Sequence, residues 1–120
     1  MIILIADDEK EMVELLKDRF IVKGHSVNTA YDGKKALELI KSNIYDLIFL
    51  DHNMPGLTGL ELLRYVKQND LKPKVAIITG YEEMDEFFMK GRGADEYLTK
   101  PVKMKDIDDI IDKYSKLTNA

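Results

Sequence analysis

"DLIFLDHNMPGLTGLELL", residues 46–63, carries a mostly apolar strand straight into a carboxylate, Asp51, and then into Met-Pro-Gly. That tripeptide can neither prolong a strand nor open a helix at once. The stretch reads as a strand over 46–50, a break, and a helix over 58–69: one β/α unit whose strand stops on an acid. The same unit recurs along the chain. "IILIA" (2–6), "SVNTA" (26–30), "KVAIIT" (74–79) and "EYLT" (96–99) read as the other strands. Helical spacing predicts helices over 9–22, 33–42, 83–92 and 105–116. Gly24, Gly33 and Gly93 mark helix ends and loops. Strands alternating with helices imply a parallel sheet covered on both faces, because right-handed crossovers lay the helices on it. For five strands the expected architecture is α/β with the flavodoxin-like order 2-1-3-4-5.

The chain has 120 residues, 45% apolar and 33% charged, which is the size of one domain with one core, residues 1–120. No apolar run approaches the roughly 18 residues of a membrane span, and the start "MIILIADDEKE" turns acidic too soon for a signal peptide. The expectation is a cytoplasmic protein without a membrane partner. Cysteine is absent, which removes disulfides, thiolate zinc sites and thiol nucleophiles. Net charge is −4, with 18 basic residues scattered among 22 acids, so no direct nucleic-acid contact is expected.

In a sheet of this order, ligands bind beyond the carboxyl ends of the strands where the winding reverses, between the first and third strands. Asp7 and Asp8 end the first strand and Asp51 the third, on neighbours about 4.8 Å apart. Thr79 ends the fourth strand and Lys100 follows the fifth. Three carboxylates held together repel unless a cation compensates them. Mg2+ suits a few carboxylates that leave positions for water and a phosphoryl oxygen; the spacing of "DDEKEM" does not match a calcium loop. With Lys100 and Thr79, the set is suited to phosphoryl transfer, in which a carboxylate oxygen can be the nucleophile. The strand stops on an acid because the acid reacts.

Together "ADDE" (6–9), "FLDHNMPGLTG" (49–59), "IITG" (77–80) and "YLTKP" (97–101) resemble the receiver domain of two-component response regulators, the CheY-like family, over essentially the whole chain. The resemblance implies that Asp51 is the phosphoacceptor. It implies that Asp8 and Asp51 bind Mg2+ directly, Asp7 through water, and that the backbone carbonyl of Asn53 adds a ligand. Thr79 and Lys100 would hold phosphoryl oxygens, Tyr97 would be the aromatic that turns inward on activation, and the Lys100–Pro101 peptide would be cis. The implied partners are a sensor histidine kinase, a histidine phosphotransferase, or both, and a downstream protein target. A receiver is not itself an enzyme, and is expected as a monomer or a weak phosphorylation-dependent dimer.

Several residues depart from the pattern. Arg92 stands where the family has a small residue, Gly91 weakens the fourth helix by about 1 kcal/mol relative to alanine, and Val102 replaces a common phenylalanine. His52 is expected to point away from the acceptor by strand alternation. His25 and His52 lack His or Cys companions and read as surface or packing residues. Met84, Phe87, Phe88 and Met89 recur at helical spacing and read mainly as core. Two other functions stay open: a degenerate receiver serving as a phosphorylation-independent scaffold, and an aspartyl-nucleophile phosphatase. The phosphatase needs a second acid two positions after its nucleophile, where this chain has Asn53. An FMN site is opposed by the acids of "DDEKE".

Five β/α units use the chain up, so the expected output is through another protein, by docking a target or by relaying the phosphoryl group. With Val13, Leu16 and Phe20 facing the core, Leu15 and Val22 fall more than about 90° away and Met12 sits at the edge. Met12 and Leu15 are thus candidate docking residues for a helical histidine donor, which favours the relay.

Overall fold

The computed structural model describes residues 1–80 and 86–118. Five strands, β1 (Ile2–Ala6), β2 (Ser26–Ala30), β3 (Leu47–Asp51), β4 (Lys74–Thr79) and β5 (Glu96–Thr99), pair in parallel in the order β2-β1-β3-β4-β5. The helices are α1 (Lys10–Val22), α2 (Gly33–Ser42), α3 (Gly59–Gln68), α4 (Glu86–Gly91) and α5 (Met104–Thr118). The expected fold class and strand order are what the molecule adopts. Among the described residues, no helix is long and apolar enough to cross a membrane.

Side chains of the central strands alternate between two cores. Ile3, Ile5, Leu47, Phe49, Ala76 and Ile78 face α1 and α5, meeting Val13, Leu16, Phe20, Ile107 and Ile111. Leu4, Ile48, Leu50, Val75 and Ile77 face the other way, toward Ala36, Ile40, Leu62, Leu63, Val66 and Met89 of α2, α3 and α4. Phe20 stacks on Phe49 with centroids 5.6 Å apart, fixing α1 over the middle of the sheet. Arg19 of α1 and Lys23 just after its end both reach Asp108 of α5, which ties that pair of helices together.

Local chemistry sets the boundaries. Asp32 caps α2 by accepting the Lys35 N–H at 2.8 Å. Thr58 and Glu61 form a reciprocal capping box at the start of α3, which is why the helix begins one residue later than its spacing suggested. The strand expected over 46–50 is shifted by one residue. Asp46 lies outside β3 and accepts the Ile2 N–H on its side chain at 2.7 Å, while Asp51 joins the ladder opposite Ile78. Of the helix expected over 83–92, α4 is described from Glu86 to Gly91; Met84 lies outside the described residues. The core assignment of that helix needs correcting. Met89 is buried, but Phe87 is 90% exposed and Phe88 38% exposed, with Arg92 over the Phe88 ring at 5.0 Å. Phe87, Phe88 and Met89 are consecutive and so about 100° apart around the helix, and they cannot all point at the sheet.

Candidate functional site

The site lies where β1 and β3 end side by side. Leu50 of β3 pairs with Ala6 of β1, so the residues that follow, Asp7 and Asp51, emerge together at the carboxyl edge. The Asp7 backbone is held by its N–H bond to Ala30 O at 3.0 Å, and its Oδ1 accepts the Glu9 N–H at 2.8 Å. Asp51 Oδ1 accepts the Asn53 N–H at 3.1 Å, which turns the chain sharply after the strand and brings the Asn53 backbone to the rim. Asp7, Asp51 and Thr79 are buried, whereas Asp8 and Asn53 face solvent. Carboxylate oxygens of Asp7, Asp8 and Asp51 lie within 4.8 Å of one another.

These acids are not serving as helix caps. Glu9 occupies the cap position of α1 and makes no side-chain capping bond. Its carboxylate instead takes Lys100 Nζ at 2.8 Å, and the same ammonium lies 3.1 Å from Asp7 Oδ2 and 3.3 Å from Asp51 Oδ2. Lys100 is placed by the cis Lys100–Pro101 peptide and by its N–H bond to Thr79 O at 2.9 Å. Burial alone would lower the Lys100 pKa, but the hydrogen bond to Glu9 and the charges of Asp7 and Asp51 raise it above the ordinary lysine value. Burial, reinforced by the charge of Asp51, pushes the Asp7 carboxyl up to about 6, against its hydrogen bond from Glu9 N–H and the charge of Lys100. Asp7 Oδ2 is buried and makes no well-aligned hydrogen bond despite its closeness to the ammonium. A buried, under-coordinated carboxylate oxygen beside two further carboxylates fits a small divalent cation such as Mg2+.

Thr79 ends β4 in register with Thr99, one rung beyond the Asp51–Ile78 pair. Tyr97 sits on β5, partly buried against the core on the α2–α4 face. His52 lies just past β3, and none of the hydrogen bonds that tie Lys100 to the acids involves it. Beside the acids a groove of about 550 Å³ opens between α1 and the start of α5, with Met12, Leu15, Val102 and Met104 as its apolar lining. Leu15 is 58% exposed and Val22 86% exposed, as their angular positions on α1 required. A smaller cavity of about 230 Å³, between Ile40, Ile44, Leu71 and Pro73, lies at the opposite pole of the sheet.

The sequence reading therefore placed Asp7, Asp8, Asp51, Thr79 and Lys100 on one rim, and the structure brings them together. It gave Glu9 no role, although a third consecutive acid directly before a helix was a visible signal. It also missed two close approaches. A side-chain carbon on Gly33 would sit 2.1 Å from the Leu57 carbonyl oxygen, and one on Gly59 would sit 2.8 Å from that of Asp51. The two glycines let the loop after Asp51 pack tightly against the start of α2 and let α3 begin against the end of β3.

Residues 3–112 match the family model described as "Response regulator receiver domain". The response regulator ArlR of Staphylococcus saprophyticus is 34% identical over 105 residues, which is 88% of this chain and 48% of that protein. The transcriptional regulatory protein CpxR of Escherichia coli is likewise 34% identical over 105 residues, 88% of this chain and 45% of its own. The chain spans about half the length of the curated relatives it matches. Among solved structures, the Francisella response regulator 1452 receiver domain superposes with a TM-score of 0.87 at 34% identity, covering 98% of each chain. TrrA of Thermotoga maritima, solved in complex with Mg2+-BeF, gives 0.82 at 32% identity, covering 94% of this chain and 97% of its own.

Proposed function

The chain belongs to the response regulator receiver domain family, and on that premise we propose that it accepts a phosphoryl group from a phosphohistidine donor onto Asp51 and signals through a protein partner. The observation that carries this reading is the Asp7, Asp8 and Asp51 cluster within 4.8 Å, with Lys100 Nζ 3.3 Å from Asp51 Oδ2 at the carboxyl edge of the sheet.

An Asp51 carboxylate oxygen attacks phosphorus, the bond from phosphorus to the donor imidazole nitrogen breaks, and the electron pair leaves on that nitrogen. Lys100 and Thr79 hold phosphoryl oxygens as charge shifts onto the acyl phosphate. Asp8 and Asp51 directly, Asp7 through water and the Asn53 backbone carbonyl would hold Mg2+, which supplies charge neutralisation for the incoming group. Burial of Asp51 and the tight turn at Asn53 fix the nucleophile's direction.

The donor is a sensor histidine kinase or a histidine phosphotransferase. The Met12 and Leu15 groove beside the acids suits an apolar helix carrying the histidine, and this favours relay of the group. The earlier expectation of no nucleic-acid partner gains nothing from the relatives. Some carry the name transcriptional regulatory protein, and this chain matches less than half of their length. A larger regulator built on this domain therefore stays compatible with the site. Incubation with magnesium and a small phosphodonor should place an acid-stable, base-labile phosphoryl group on the parent chain and none on Asp51→Asn; equal labelling of the two would move the acceptor elsewhere.

A further inference from the structure

We propose that Glu9 is the resting anchor of Lys100: it holds the ammonium at the mouth of the acid pocket and must release it before Lys100 can take a phosphoryl oxygen on Asp51. The inference rests on the receiver reading for its release step, and on geometry alone for the anchor.

Among the described residues, Lys100 Nζ meets three carboxylates, and Glu9 is the nearest at 2.8 Å, against 3.1 Å for Asp7 and 3.3 Å for Asp51. Glu9 stands at the cap position of α1, where a short polar side chain would ordinarily bond the free N–H groups of the first turn, yet its carboxylate turns to Lys100. It also differs from the other two partners in its surroundings. The Glu9 side chain is 57% exposed, whereas those of Asp7 and Asp51 are 0% and 1% exposed. Losing the ammonium leaves Glu9 to be hydrated by water, but would leave the buried pair uncompensated. Glu9 is therefore the partner that can be left at low cost.

It is also the partner outside the cation-binding set. Asp7, Asp8 and Asp51 converge as candidate ligands, so a divalent cation there would repel Lys100 from two of its three contacts. Glu9 remains as the place for the ammonium between metal binding and phosphorylation. Weakening this contact should make the ammonium freer to reach an anion on Asp51.

The test has a metal-free arm and a loaded arm. In the metal-free chain, NMR exchange of the Lys100 ammonium protons should be several-fold faster in Glu9→Gln than in the parent; unchanged exchange would show that Asp7 and Asp51 hold the ammonium unaided and would overturn the anchor. At saturating magnesium, beryllofluoride titration should give Glu9→Gln about twofold to fivefold tighter binding, the size of an exposed ion pair. Glu11→Gln removes the same charge from the first turn of α1 without touching Lys100, and should bind like the parent. Equal tightening in the two variants would reduce the effect to general charge and overturn the proposal, as would no tightening in Glu9→Gln. A parent chain that does not respond to beryllofluoride would sink the receiver reading and the release step with it. The exchange arm, which uses neither metal nor fluoride, keeps that failure distinct from loss of the anchor.

Discussion

Asp7 is the residue at which the fold works against its own charge. Burial raises its carboxyl from the ordinary 3.8 to about 6, with the charge of Asp51 adding to the shift. Between those two values the folded chain binds a proton that the unfolded chain has released, so stability contributed here is present at low pH and lost as pH rises through about 6. The metal-free chain should thus lose stability from this group between pH 4 and pH 6.5. His25, whose pKa is lowered by its own burial, changes stability in the opposite sense over part of that range. Asp7→Asn isolates the effect: its melting temperature should fall less, or rise more, with pH than the parent's. Parallel curves would mean that Asp7 ionises without cost. Magnesium should reverse the sign, because the ionised carboxylate is the form that serves a cation, so magnesium affinity should weaken as pH falls below about 6.

Elements explain which parts of the molecule could be read in advance. Two glycines give opposite predictions. Gly33 opens α2 with the Leu57 carbonyl pressed against it, so Gly33→Ala must push back the loop after Asp51 and should cost well over 1 kcal/mol of stability. Gly91 ends α4 with nothing within 4 Å of an added carbon, so Gly91→Ala should stabilise by up to about 1 kcal/mol. Denaturant unfolding of both variants checks the pair, and a destabilised Gly91→Ala would mean that α4 needs its glycine. Strands β1, β2, β4 and β5 were legible to the residue: β1 and β4 are apolar runs that stop at Asp7 and Gly80, while β2 and β5 are short β-prone stretches set between helices by the regular β/α alternation. Asp46 and Asp51 were not, since each is an acid at the end of an apolar run and only the ladder decides which one is inside. Phe87 misled because three consecutive apolar residues, 87–89, spread over about 200° of a helix, and spacing alone cannot say which of them faces the sheet. The rim of the site was legible because strand ends fix its members. Glu9 was not, since which carboxylate a long lysine side chain reaches depends on how the chain folds around Pro101.

For the whole molecule, the question that the proposed function raises is how a phosphoryl group on Asp51 would be felt at a surface a protein partner could read. Thr79 and Tyr97 stand on adjacent strands, with Tyr97 opposite Ile77, so a pull on the end of β4 acts on the strand that carries the ring. Beyond them lies α4, in which Met89 is the buried residue among those described and Phe87 is 90% exposed, and lightly packed elements are inexpensive to move. Capture of a phosphoryl oxygen by Thr79 should therefore be felt at Tyr97 and along α4, β5 and the start of α5. The carboxylates of Asp7, Asp8 and Asp51 converge on one another at the ends of β1 and β3, so Thr79→Ala should still bind beryllofluoride in the presence of magnesium. It should separate that binding from the distant change: amide shifts near Asp7, Asp8 and Asp51 should persist, while those of residues 86–105 should shrink to a fraction of the parent's. If residues 86–105 respond as fully in Thr79→Ala as in the parent, the signal leaves the site by another route, and Lys100, bonded through its N–H to the carbonyl of Thr79, is the connection to test next.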